Sequence, residues 1–284
     1  MNKYNKKYLT KKCIKKRNKR TIKNKNFKMK GGNNELFFKK YNNNDDSIIE
    51  IGRGAAGTVY KDIEQSDIVF KVSSKDNVCR DWLKEKKIYN KIQDFNIDSE
   101  LCKIVELKDF SLFDKKNKCV LVLNKVNNPI DSNLNYTIHP LFGENTYNSY
   151  SKGRGRYMGI QQLMEYGLFN NENIKEYIAE LGTIIGKLHY VVKNDGFDLE
   201  IFVGRDEKDN TIKLYIADFD LSNMIENYDQ KTISNLEWSL SSIAYFPYPD
   251  EQPELYEIFK NSYLDIATKE NKQIIAEKVL ELYI

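Results

Sequence analysis

The chain has 284 residues with 45 Lys and Arg against 41 Asp and Glu, a net charge of +4 that conceals a split. Residues 1–30 hold 14 Lys and Arg and no Asp or Glu, so residues 31–284 are acidic by ten charges. A 40% hydrophobic share argues against wholesale disorder, and the lack of any apolar run near the ~18 residues a bilayer requires, or of an apolar segment behind the basic start, predicts a soluble, intracellular protein.

Residues 1–34 lack apolar periodicity and end in Lys30-Gly31-Gly32-Asn33-Asn34, which predicts a disordered basic tail and linker. An N-terminal region over 35–126 follows, with regular structure expected from about Ile48. Its strands are read at Ile48-Ile49-Glu50-Ile51, at Thr58-Val59-Tyr60-Lys61-Asp62-Ile63 and at Ile68-Val69-Phe70-Lys71-Val72, an antiparallel meander. Trp82, Leu83, Ile88 and Ile92 mark a helix over 79–92, and a strand pair over 104–113 and 119–126 completes the sheet. Residues 127–170, rich in Asn, Gly, Ser and Tyr, read as a linker and long loop that holds the basic knot Lys152-Gly153-Arg154-Gly155-Arg156. The C-terminal region, 171–284, opens with the clearest helix, where Ile174, Tyr177, Ile178, Leu181, Ile185, Leu188 and Val192 recur at helical steps. Two short strands, 200–203 and 213–217, and two terminal helices follow.

Four cysteines (Cys13, Cys79, Cys102 and Cys119) form no CxxC pair, so buried, reduced thiols are expected rather than a zinc cage or a disulfide framework. His139 and His189 are the only histidines, which excludes His-rich metal sites.

Gly52-Arg53-Gly54-Ala55-Ala56-Gly57-Thr58-Val59 matches GxGxxGxV. A strand rather than a helix follows it, so the loop is read as the cap of a β-hairpin whose backbone N–H groups can approach phosphate oxygens where a side chain would obstruct them. An ordinary Gly-rich turn is the competing reading. Lys71 follows on the third strand between apolar neighbours, and Glu85 on the helix is its expected ion-pair partner; a solvated i,i+4 residue is the alternative for Glu85. Farther on, Asn194-Asp195-Gly196-Phe197-Asp198-Leu199-Glu200 and Tyr215-Ile216-Ala217-Asp218-Phe219-Asp220 place carboxylates 23 residues apart.

In this order the motifs resemble the protein kinase-like superfamily over about residues 47–284. A closer likeness is to an uncharacterised kinase-like family best populated in fungi, echoed by Arg154-Gly155-Arg156-Tyr157-Met158-Gly159 and Tyr245-Phe246-Pro247-Tyr248-Pro249. The resemblance implies an α+β, two-lobed protein kinase-like fold: a small antiparallel sheet with a helix, then a mainly helical lobe. It also implies ATP and Mg²⁺ as cofactors, with Gly52, Gly54, Gly57, Val59 and Lys71 on the nucleotide. In that comparison Asp195 takes the catalytic-base position, Lys71 and Glu85 the ion pair, and Asp218 with Glu200 the metal positions.

Departures accompany the likeness. Lys193-Asn194 precedes Asp195 in place of His-Arg, Phe197 stands where protein kinases carry a lysine, Glu200 replaces Asn, and Asp220 replaces the Gly of DFG. Phosphate transfer to a protein or small-molecule acceptor is therefore weighed against an inactive, pseudokinase-type or nucleic-acid-associated scaffold anchored by the tail. Residues 1–30 could neutralise nucleic-acid phosphates or meet another acidic surface, with a merely solvated arm as the alternative.

Overall fold

The computed structural model describes residues 33–74, 78–113, 118–131, 134, 136–151, 155–242 and 244–283. The basic tail, Cys13 and residues 152–154 of the basic knot lie outside the described residues. Five strands, β1 (Ile48–Arg53), β2 (Gly57–Asp62), β3 (Gln65–Ser73), β5 (Leu107–Phe113) and β6 (Lys118–Asn124), form an antiparallel sheet in the order β1-β2-β3-β6-β5. The meander read from the sequence is present.

This sheet is covered on both faces, and strand alternation decides what each residue meets. Ile68, Phe70 and Val72 of β3, with Val120 and Val122 of β6, pack against Phe37 and Phe38 of a helix α1 (Asn33–Asn42). Val69 of β3 and Cys119, Leu121 and Leu123 of β6 face the larger core together with α2 (Val78–Phe95). Lys71 therefore lies on the α2 side.

Helix α1 is an addition to the sequence reading, which begins regular structure near Ile48. Phe37 stacks on Phe70 with ring centroids 3.9 Å apart, and Lys40 reaches the fully buried Asp62 at 2.9 Å. The cue was the apolar trio Phe37, Phe38 and Tyr41, whose i,i+4 pair shares one helix face.

A second sheet runs β4-β11-β10-β7-β9-β8, from β4 (Cys102–Ile104), β7 (Ile138–Leu141), β8 (Asn148–Ser151), β9 (Gly155–Gly159), β10 (Glu200–Arg205) and β11 (Ile212–Ala217). The pairs β4–β11 and β7–β9 are parallel and the others antiparallel. The long loop expected over 127–170 thus supplies three strands and the short helix α3 (Ile160–Glu165). They escape a local reading because β7 contains Pro140 and is buried at all four positions, so no alternation marks it.

Helix α4 (Asn173–Gly186) continues into a π-helical turn, Lys187–Val192. It crosses α6 (Pro253–Lys269) closely: a Cβ on Gly182 would stand 2.5 Å from the Phe259 carbonyl oxygen. The π-turn ends at Lys193, whose left-handed φ of 61° turns the chain into Asn194-Asp195. Within it His189 is buried, with Nδ1 2.8 Å from the Tyr263 hydroxyl, and burial pushes its imidazole down to about 3, so it sits neutral. Helices α5 (Gln230–Ser241), absent from the sequence reading, and α7 (Gln273–Leu282) complete the fold. The result is a mixed α+β architecture with two sheets and seven α-helices among the described residues, all within one unit, Gly32–Ile284.

The cysteine expectation is corrected. Cys79 and Cys119 are joined in a disulfide, their Cα atoms 5.5 Å apart, while Cys102 is free and buried. The β3–β6 register explains the pairing: Val72 lies opposite Val120, which places Ser73 beside Cys119, and α2 returns Cys79 to that point. The Cys119 N–H donates to Ser73 Oγ at 2.9 Å.

Candidate functional site

Lys71 and Asp218 meet across 147 residues of sequence. Lys71 Nζ lies 2.6 Å from Asp218 Oδ1, with Nζ 5.3 Å from the centre of the Trp82 ring. Two local features deliver them. The central strand β3 presents Lys71 toward α2, and at the end of β11 Asp218 adopts a left-handed φ of 65°, a conformation that Asp tolerates better than most residues.

Trp82, Glu85 and Tyr89 line one face of α2 at i, i+3 and i+7 and are all buried. The indole Nε1 lacks a hydrogen-bond partner, and the Glu85 carboxyl oxygens and the Tyr89 hydroxyl make none of good geometry, interacting only weakly with the Phe219 and Asp218 backbones. Tyr89 also packs edge-on against Phe219, at 5.2 Å between centroids. Orphaned polar atoms in a buried cluster are costly, on the order of 1–3 kcal/mol each.

The expected Lys71–Glu85 ion pair is therefore not the arrangement present; Lys71 is engaged by Asp218. Glu85 has the physical reason. Burial, only partly opposed by the nearby Lys71, raises its carboxyl to about 8, so at neutral pH it is mostly an uncharged acid. For Lys71, burial pulls the ammonium down, but Asp218, Glu85 and Asp220 outweigh it and hold the group well above the usual lysine range. Asp220 joins the same field: burial first, then Asp218, pushes its carboxyl up to about 6.

The glycine-rich loop caps the β1–β2 hairpin, with Gly52 opposite Val59 and Arg53 opposite Thr58. The Gly54 N–H donates to the Gly57 carbonyl at 2.8 Å, and Ser74 donates its N–H and hydroxyl to the Ala56 carbonyl. None of Gly52, Gly54 and Gly57 has a positive φ. Gly57 is required by packing, because a Cβ there would stand 2.5 Å from the Val72 carbonyl oxygen and about 3 Å from the Trp82 ring. Val59, half-buried on β2, sits opposite Lys71 in the β2–β3 register.

Asp195 stands on a neighbouring loop. The segments after the π-turn and after β11 are stitched together: the Ile225 N–H donates to the Lys193 carbonyl, the Asp195 N–H to the Asn223 carbonyl, and Asn194 Nδ2 to Ser222 Oγ. The buried Asp195 carboxylate accepts four N–H groups. Oδ1 receives those of Asn223 at 2.7 Å and Phe197 at 3.2 Å, and Oδ2 receives the side-chain amides of Asn223 at 3.2 Å and Asn235 at 3.3 Å. A carboxylate offers about four lone-pair positions, so all are taken. A hydroxyl reaches Asp195 only by displacing one of these donors, and the Asn235 amide makes the longest of the four bonds. Asn223 and Asn235 carry no signal in a sequence with 31 asparagines.

Glu200 begins β10, and the β10–β11 register pairs it with Ala217, the residue before Asp218. Glu200 and Asp218 therefore project from the same end of one hairpin. Among the described residues, no group of three or more His, Cys, Asp or Glu is arranged to hold a metal ion. A groove of about 490 Å³, lined by Asn128, Pro129, Asp131, Arg205 and Glu207 among others, lies at the opposite end of β10 and includes none of the predicted site residues.

No protein-family model and no curated protein matches the chain. No helix among the described residues is long and apolar enough to cross a membrane.

Proposed function

We propose that the protein is a kinase-like nucleotide-binding domain that takes ATP with Mg²⁺ between the Gly52–Gly57 loop and the Lys71–Asp218 pair. The observation that carries this reading is the ion pair itself: a buried lysine on a central strand, opposite Val59 and next to the glycine-capped β1–β2 hairpin, held by a carboxylate 147 residues away. In this reading the five-stranded sheet with α2 is the small lobe and the helices from α4 onward belong to the large one.

The residues present suit a magnesium nucleotide. Magnesium commonly takes one or two protein carboxylates and completes its shell with phosphate oxygens and water, so Asp218 with Glu200 is a sufficient protein contribution without a third acid. When bound, the ion would offset phosphate charge. Lys71 would then exchange Asp218 for phosphate oxygens, and the loop N–H groups would cap the phosphates.

Catalytically silent nucleotide binding is the second reading, favoured by the Asp195 carboxylate, whose acceptor positions are all filled by N–H donors.

Thermal-shift titration with Mg-ATP tests the site. Wild type is expected to be stabilised by roughly 2–3 kcal/mol at a hundredfold excess over Kd, and Lys71→Ala to lose that stabilisation. No stabilisation of wild type, or equal stabilisation of the variant, would sink the reading. If Mg-ATP binds, transfer of radiolabelled γ-phosphate separates the active from the silent form.

A further inference from the structure

The Cys79–Cys119 disulfide stands beside the Lys71 site. Cys119 on β6 donates its N–H to Ser73 Oγ, and Cys79 Sγ lies 3.5 Å from the same oxygen. Ser73 is two residues from Lys71 on one face of β3 and pairs with Gly57, the closing glycine of the loop, in the β2–β3 register. On the helix side, Trp82 follows Cys79 by one turn of α2. Its ring faces Lys71 Nζ at 5.3 Å, and a Cβ on Gly57 would stand 3.0 Å from its edge. The bond thus joins helix and sheet at the place where they enclose Lys71.

Stability alone does not require this bond. A chain of this length with a large continuous apolar core has no need of the covalent links on which small loop-rich domains depend. What the bond controls is distance. Bonded sulfurs sit about 2 Å apart, whereas two thiols need roughly the 3.5–4 Å of ordinary contact. Reduction therefore drives the two residues apart, while small thiols remain acceptable in the core. Strand β6 is paired on both sides, so the first turn of α2 is the part that yields. Trp82 has little slack to absorb the movement: it is fully buried, packed against Gly57 and Lys71, and its Nε1 has no hydrogen bond to hold it in place.

We propose that Cys79–Cys119 is a reversible redox modification site that regulates nucleotide binding: the disulfide locks α2 and Trp82 against Lys71, and reduction by a dithiol releases them. This rests on the nucleotide-binding reading above and adds the regulation of that same site. The reductant is a protein or small molecule with two neighbouring thiols. One of its thiolates attacks Cys79, the more exposed of the pair at 9% against 0%, the S–S bond breaks, and Cys119 leaves as a thiolate. The second thiolate then displaces Cys79 from the mixed disulfide. Two electrons and the reductant's two thiol protons pass to Cys79 and Cys119, and the reductant departs as a disulfide.

The chain has two tryptophans, so Trp238→Phe leaves Trp82 as the only indole and a reporter one turn from the bond. Anaerobic titration of this full-length protein with dithiothreitol, without denaturant, tests the proposal. Reduction is expected to release two further thiols per chain, to shift the Trp82 emission and to weaken Mg-ATP binding about tenfold, the size of an ordinary coupling between sites. Reoxidation with diamide should restore all three. The Cys79→Ser, Cys119→Ser double variant should be fixed in the weak-binding state and ignore the reductant. No thiol release under native conditions, release with emission and affinity unchanged, or a double variant that still responds would overturn the proposal; the second of these outcomes would leave the bond a staple only. Mg-ATP stabilisation of the oxidised chain keeps the two readings apart. Stabilisation with an affinity indifferent to reduction removes this inference alone, and an emission shift without stabilisation removes the nucleotide reading and, with it, the assignment of what the bond regulates.

Discussion

Glu85→Gln is expected to raise the melting temperature at pH 8 and to leave it nearly unchanged at pH 5. In the native protein burial raises the Glu85 carboxyl from the ordinary 4.5 to about 8. Between those values the unfolded chain has released the proton and the folded chain has kept it. Stability from this group is therefore complete below about pH 4.5 and falls as pH rises toward 8. Glutamine fills the same space, does not titrate and removes this slope. Asp220, raised by burial and by Asp218 to about 6, pushes in the same direction over a lower range, but it is present in both proteins and cancels in the comparison. Lys71, Asp218 and Tyr89 also face this cluster, and their rearrangement would absorb part of the effect. A gain on the order of 2–4 kcal/mol at pH 8 follows from a shift of this size, or roughly 5–10 °C in Tm for a chain of this length. Parallel pH–stability curves for the two proteins would mean that Glu85 is not held as a buried acid.

Phe37→Ala should destabilise the fold by about 3–5 kcal/mol, the usual range for emptying a buried phenylalanine site. The ring is fully buried and stacked face to face on Phe70, and the remaining contacts on that side of the sheet come from a small cluster with little capacity to collapse. Leu36→Ala, one residue earlier and 48% exposed, is the control and should cost under about 1 kcal/mol. Denaturant melts of both variants decide the matter: equal losses would mean that α1 does not cover the sheet. Because Phe70 and Lys71 point to opposite faces of β3, the Lys71–Asp218 pair should survive the Phe37 change in the molecules that fold.

Much of the frame is legible in the sequence because it is locally encoded. Alternation and turn residues mark β1 to β3, helical steps mark α2 and α4, and a polar turn separates β10 from β11. What escapes is set by distant partners. The strands β7 to β9 gain their regularity only by pairing with β10 and with one another, and β4, three residues long, is a strand only because β11 lies beside it. The Cys79–Cys119 link depends on a strand register that no spacing rule contains.

The candidate site divides in the same manner. Lys71 and Asp218 announce themselves through their neighbours, and they do meet. The partner choice of Lys71 does not, because it depends on whether Glu85 is ionised, and burial decides that. Asn223 and Asn235, whose side-chain amides occupy half of the acceptor positions on Asp195, look like any other asparagine until the loops are folded together.

The two ends of the glycine hairpin bear unequal mechanical duties. Gly57 is wedged between the Val72 carbonyl and the Trp82 ring, whereas a Cβ on Gly54 would find only the Gly57 carbonyl oxygen, at 3.9 Å. The loop is thus a flap riveted at its trailing edge with an open leading tip. Alanine at 57 should loosen the rivet and lower stability whether or not nucleotide is present. Alanine at 54 should leave the melting curve of the free protein in place and show itself only when something with phosphates is beneath the tip. A pair of single-methyl substitutions, three residues apart, therefore separates what the loop does for the fold from what it does for a ligand.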